Sequence, residues 1–207
     1  MAAKTSGPAG RVGRPQLSSR AAIEEAAGEL FLENSYARTT IEHITMRAGV
    51  SRASFFNYFA AKSDLLWGDV DLLVSDVRML LARQPSTIAP MDGVRAALND
   101  ATAGIGAERI PLAVTQWEIM GAREELLMSG LPRFATLASA IGDYLQRSSR
   151  ADTLAVRAAA FAVVGAVAAA GAAWSAAGPG RGSLAARIDA AITPVCDGFS
   201  PTITASR

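Results

Sequence analysis

The stretch Ser51–Phe59 carries Ser51, Arg52, Ala53, Ser54, Asn57 and Tyr58 interleaved with Phe55, Phe56 and Phe59. Guanidinium, amide, phenol and hydroxyl groups at this spacing suit hydrogen bonding to a surface rather than bond making. Near the tip of a helix, an Arg such as Arg52 bonds bidentately to O6 and N7 of guanine, or else takes a phosphate. Ala53 and the Cβ of Ser54 are small enough for close approach and for contact with a thymine methyl. Asn57 suits an adenine edge or a phosphate. Phe55, Phe56 and Phe59 anchor the element, with Phe55 and Phe59 assigned to the core.

The residues ahead of this stretch supply the element that must position it. Thr39 reads as an N-cap, and Glu42 follows at capping-box spacing. Ile41, Ile44, Thr45 and Ala48 fall on one helical face. Gly49 most easily takes the left-handed backbone that ends such a helix. Val50 plugs the corner, and Ser51 caps the next helix. Two short helices across a tight corner, the second tipped by Ser-Arg-Ala-Ser, form a helix-turn-helix of the kind that enters a major groove N-terminus first.

These residues resemble the N-terminal domain of the tetracycline-repressor (TetR) family of transcriptional regulators. The family pattern reads here as Leu30–Phe31, Thr39–Thr40, Ile44–Thr45, Ala48–Gly49–Val50–Ser51, Phe55–Phe56–Asn57–Tyr58–Phe59 and Lys62. The resemblance covers roughly Ser18 to Leu66. It implies that Tyr58 and Lys62 grip the phosphate backbone. Thr40 and Ser51 fit phosphate contacts or caps, and Arg47 adds charge. Three positions depart from the pattern: Thr45 replaces a small Ala, Phe56 stands where many members carry Tyr, and Asn34–Ser35 replaces a Gly.

Overall charge is close to neutral, +1 over 207 residues, but the bases are concentrated at one end. Residues 1–64 hold eight Lys/Arg against six acids, and the first twenty hold four bases and no acid. That local excess suits a compact DNA footprint. The segment Arg11-Val-Gly-Arg-Pro15 is similar to arms that place Arg in a narrow minor groove, making Arg11 and Arg14 candidate DNA contacts.

An apolar share of 50%, rich in Ala, with little strand-like alternation, predicts an all-α protein. The single cysteine, Cys196, excludes a disulfide framework and reads as a buried structural thiol or a sensor. One histidine, His43, leaves little material for a His-based triad or metal cluster, so neither a catalytic constellation nor a metal site is expected. The opening residues are small and polar with no apolar leader, which fits a cytoplasmic location.

Three units are expected: a basic arm over 1–17, a DNA-binding domain over 18–64, and a ligand-binding and dimerisation domain over 65–207. Helices are predicted at Ser19–Leu32 and Lys62–Ala82, then at about Gly93–Ile105, Ile110–Met128, Leu131–Arg147, Asp152–Ala177 and Ser183–Phe199, with Gly130-Leu-Pro132 as a break. Ala158–Gly180 is uncharged and long enough to cross a bilayer, but its small side chains suit a helix–helix interface better than a membrane.

By the resemblance, Ala158–Ala177 and Leu184–Phe199 pair with their copies in a homodimer that holds a palindromic double-stranded operator. A small apolar or amphipathic effector then occupies a cavity. Trp67, Trp117, Met120, Met128, Phe134 and Tyr144 are its candidate lining, with Ile119 and Leu127 beside them and Glu118, Arg123 and Asp143 to orient a polar group. No cofactor is implied. The alternative of another class is a ligand-binding helical protein whose helix-turn-helix is vestigial and used for protein contacts.

Overall fold

The structure, a computed structural model, describes residues 19–103 and 112–206. Within them the chain is helical, and a lone bridge between Ser149 and Ala205 is the one β-type pairing. Helix α1 spans Ser19–Asn34, α2 Ile41–Ala48, α3 Arg52–Phe56, α4 Gly68–Ala82 and α5 Pro90–Ala103. Then come α6 Leu112–Met120, α7 Arg123–Ser148, α8 Thr153–Ala176 and α9 Leu184–Phe199. Arg11 and Arg14 lie outside the described residues.

Two buried clusters organise these helices. In the first, the stripe Ile23, Ala26, Ala27, Leu30 and Phe31 of α1 packs with Ile44, Phe55, Phe59, Leu65 and Leu66. This head also takes in Trp67, Met120 and Ala122, and the Tyr36 N–H donates to the Met120 carbonyl at 2.7 Å. The second cluster is the body, where α8 and α9 pack on α5 and α7 through Val94, Leu98, Ile141, Leu145, Val163, Trp174, Ile188 and Ile192. The chain's end closes the α7–α8 turn: Ser206 N–H donates to Ser148 O, and Arg150 N–H to Thr204 O.

Several boundaries differ from the sequence expectation. The N-cap of α2 is Thr40, not Thr39, and its box partner is His43 rather than Glu42. Thr39 is instead buried, its hydroxyl within hydrogen-bond distance of the Leu30 and Ser35 carbonyls. Of the Asn34–Ser35 pair that replaces a Gly between α1 and α2, Ser35 takes the left-handed conformation, at φ 71°. The departure at Thr45 is absorbed because its buried hydroxyl bonds the Glu42 carbonyl.

The segment predicted as one helix from Lys62 is two, a 3-10 turn over Lys62–Leu66 followed by α4. Helix α7 runs straight through Gly130-Leu-Pro132, and the break sits earlier, at Gly121 with φ 60°. Proline removes one helical bond, leaving the carbonyl of Met128, an exposed residue, without its i+4 N–H partner. Burial of Leu137, Ile141, Tyr144 and Leu145 beyond the proline holds the helix together.

Candidate nucleic-acid interface

Helix α3 has only five residues, too few to be stable alone, so packing must hold it. Phe55 and Phe59 do this at 0% and 3% exposure, with ring centroids 5.6 Å apart. The corner before it rests on Gly49, at φ 67°, whose N–H bonds back into α2. Ser51 then caps α3, its Oγ accepting from Ser54 N–H and lying 3.0 Å from Ser54 Oγ.

This corner turns Arg52, Ala53, Asn57 and Tyr58 outward together, all exposed, with Ser51 at the tip and Ser54 half-buried. Phe56 joins them. It is 46% exposed, not a core anchor, and lies edge-on to Phe55 with the Arg52 guanidinium 5.5 Å from its ring centroid. Residues at i and i+4 share a helix face, so the Arg52–Phe56 spacing was the signal for this pair. Arg20, one of the four bases in the first twenty residues, pairs with Glu24 at 3.0 Å and lies 5.0 Å from the centroid of the Phe59 ring.

Two predicted contacts are otherwise engaged. Arg47 reaches Glu29 at 3.0 Å and Glu33 at 2.8 Å, so its charge is neutralised rather than free for phosphate. The same bond from Arg47 holds the Glu33 carboxyl below its ordinary range. Lys62 donates to the carbonyls of Tyr36 and Thr39, both at 2.8 Å, and sits 3.9 Å from the Tyr36 ring centroid. Burial pushes its pKa down against the opposing field of Glu125. It staples the α1–α2 loop. At the start of the turn that Lys62 begins, the N-cap Ala61 N–H donates to the Asp64 carboxylate at 2.9 Å. Thr40 Oγ1 caps α2 by accepting from the His43 N–H, as Ser51 caps α3, and the Thr40 N–H lies 3.4 Å from His43 Nδ1.

Of the six residues expected to line an effector cavity, Trp67, Met120 and Phe134 share one cluster, while Tyr144 lies in the other and Met128 on the surface. Trp67 and Met120 are buried where the head meets the body, with Phe134 edge-on to Trp67. Trp117 is half-buried with the Arg123 guanidinium 5.7 Å from its ring centroid. Tyr144 belongs to the body core, against Gly93. Met128 is 63% exposed. Long apolar side chains on helices look alike in sequence whether they face a core, a cavity or water. An open cleft of about 380 Å³ does lie between α4 and α7, lined by Asp71, Val74, Ser75, Arg78, Pro132, Arg133, Thr136 and Ala140. Cys196 is buried, and desolvation pushes its thiol up to about 11, which suits a structural role.

Residues 23–66 match the profile of bacterial regulatory proteins of the tetR family, and residues 88–200 that of the MftR C-terminal domain. A putative mycofactocin biosynthesis transcriptional regulator, MftR of Mycobacterium tuberculosis, is 33% identical over 88 residues. That alignment spans 42% of this chain and 44% of the relative, so less than half of the relative is covered. Among solved structures, Thermus thermophilus FadR, a TetR-family repressor in complex with lauroyl-CoA, is similar at TM-score 0.52 and 24% identity, over 86% of this chain and 94% of that one. NalD of Pseudomonas aeruginosa, the secondary repressor of the MexAB-OprM multidrug efflux pump, gives 0.53 and 18% over 87% and 94%. At these identities the likeness is one of fold.

Proposed function

The chain belongs to the tetR family of bacterial regulatory proteins, with a C-terminal domain of the MftR kind, and from that premise we propose that it is a homodimeric, sequence-specific transcriptional repressor. The single observation that carries this reading is α3 itself. One side, Phe55 and Phe59, is buried, and the other presents Arg52, Ala53, Phe56, Asn57 and Tyr58 to solvent. Two such helices enter successive major grooves of a palindromic operator, roughly 34–36 Å apart. Arg52 reads a base edge, with Tyr58 and Ser51 on phosphates. Arg11 and Arg14 extend the footprint into the minor groove.

Dimerisation is assigned to α8 and α9. Leu154, Ala158, Phe161, Gly165, Ala169 and Ala172 form an exposed apolar stripe along α8, and Ala186, Ala190 and Pro194 continue it on α9. By length and composition α8 is apolar enough to cross a bilayer. Its other face, with Val156, Val163, Val164 and Trp174, is already packed in the body, which supports a helix interface in a cytoplasmic protein. The lauroyl-CoA held by the FadR structure supports an apolar or amphipathic effector here, and the α4–α7 cleft is its candidate entry. Release of DNA requires that the effector prefer one conformation over the other.

Selection of bound fragments from sheared source DNA tests this reading, with Arg52→Ala/Tyr58→Ala as the control protein. An enriched palindrome lost in the control is expected. Equal recovery by both proteins would show that α3 does not read sequence.

A further inference from the structure

The 3-10 turn Lys62–Leu66 closes the head and α4 opens the body, and the chain passes between them at Trp67–Gly68. Gly68 has φ 33°, a conformation an L side chain rarely adopts, so the two segments do not continue as one helix. A bend of this sort swings unless it is held. One face of α7 holds it.

Arg133 bonds both sides of the bend. Its Nη2 donates to Asp64 Oδ1 at 3.0 Å on the head side. Its Nε and Nη2 donate to Asp71 at 2.6 and 2.8 Å on the body side. Between them, the guanidinium lies 5.3 Å from the centroid of the Trp67 ring at the bend. Trp67 is fixed in turn by Nε1 donating to Ser129 Oγ at 2.8 Å. Gly130 gives the ring its seat, since an added Cβ would stand 2.9 Å from the indole. The Arg133 side chain is only 16% exposed, so solvent screens its pairs less than those of Arg47, at 39%.

Resting on the reading of the chain as a two-headed DNA binder, we propose that Arg133 is a positioning residue for DNA recognition. It clamps the Trp67–Gly68 hinge, sets the angle of each head to its body, and so fixes the separation of the two α3 helices. A planar fork suits this task because it reaches two carboxylates at once, which a lysine ammonium does far less well. The α4–α7 cleft opens onto the same Asp71–Arg133 pair, so a ligand there acts directly on the clamp.

The test labels one chain with nitroxides at Met46→Cys on the head and Gln146→Cys on the body, both exposed positions, diluted with unlabelled protein. The native thiol, Cys196, is buried. Electron–electron resonance then gives the head–body distance distribution without DNA and in any oligomeric state. Arg133→Met and Arg133→Lys should broaden it about twofold, as a released hinge does. Asp71→Asn should broaden it less, because the Asp64 bond remains.

In parallel, the selected operator is compared with versions carrying one or two extra base pairs between half-sites. The parent should lose about tenfold per insertion and Arg133→Met much less, since half-site spacing reports head geometry. A residue that merely stabilises the fold would weaken every spacing by the same factor. A parent-like distance width in folded Arg133→Met overturns the clamp. Failure of the parent to select DNA would sink the regulator reading, while the distance measurement would still judge the hinge.

Discussion

The Arg52 guanidinium lies 5.5 Å from the centroid of the Phe56 ring, one turn along the same short helix. That stacking limits the conformations of a long side chain before any DNA arrives. An arginine that reads a base must otherwise give up its rotamer freedom on binding, a cost on the order of 1–2 kcal/mol. Phe56 reduces that loss, and its own partial burial against Phe55 keeps it in place.

Phe56→Ala should therefore weaken operator binding by about three- to tenfold, in line with ~0.5–1 kcal/mol for an exposed cation–π contact plus lost ordering. Thermal stability should change little. Fluorescence anisotropy with the selected operator measures the first, and a melting curve the second. Undiminished affinity would mean that Phe56 does not prepare Arg52.

Lys62 gives a prediction opposite to the one its family position suggests. If it staples the Tyr36 and Thr39 carbonyls, Lys62→Met should cost roughly 1.5–3 kcal/mol of stability, the range for bonds to a charged group. The salt dependence of DNA binding should keep its slope. A slope shallower by about 1.8, one phosphate for each of two heads, would instead show that the lysine neutralises a phosphate.

The pairing of Arg47 with Glu29 and Glu33 holds a cation away from DNA. Glu29→Gln/Glu33→Gln should raise low-salt affinity several-fold through the freed guanidinium of each head and steepen the salt slope by about 1.8. The same change in an Arg47→Ala background separates this from a general loss of negative charge. An equal gain in both backgrounds would show that Arg47 takes no part.

Cys196 predicts a pH dependence. Burial raises its thiol from 9.0 to about 11, so between those values the folded chain binds more protons than the unfolded one. Stability is then fully present below pH 9 and falls as pH rises toward 11. Cys196→Ala should lose this part of the alkaline decline, read by urea unfolding at pH 8 and pH 10.5. Parallel curves for the two proteins would exclude the thiol as its source.

Phe161 stands 56% exposed in the middle of the α8 stripe. Phe161→Glu should convert the dimer to a helical monomer by sedimentation at micromolar concentration, and operator affinity should fall with it, since a palindrome needs both heads. A dimer that survives this change would place the interface elsewhere.

The sequence carried the local rules of the fold well and its long-range partners poorly. The α1 stripe, the Gly49 corner and the Ser51 cap follow from rules that act within a few residues, and all three stand in the structure. The cap on α2 moved by one residue because Thr39, the better-placed hydroxyl on paper, is needed inside. Lys62 meets Tyr36 across 26 positions, and Arg47 meets Glu33 across 14, so no local pattern announces either pair. The surroundings of the long apolar side chains were least legible, because Trp67, Tyr144 and Met128 share an apolar character while which helices meet sets where each lies.

If helix α3 reads an operator, it divides information from stability. Phe55 and Phe59 carry the folding energy on one side, and Arg52, Ala53, Asn57 and Tyr58 face outward with little packing to lose. The two sides are therefore free to change at different rates over evolutionary time. A duplicated copy of this chain can acquire a new operator through outward substitutions alone and remain a folded protein at every step between.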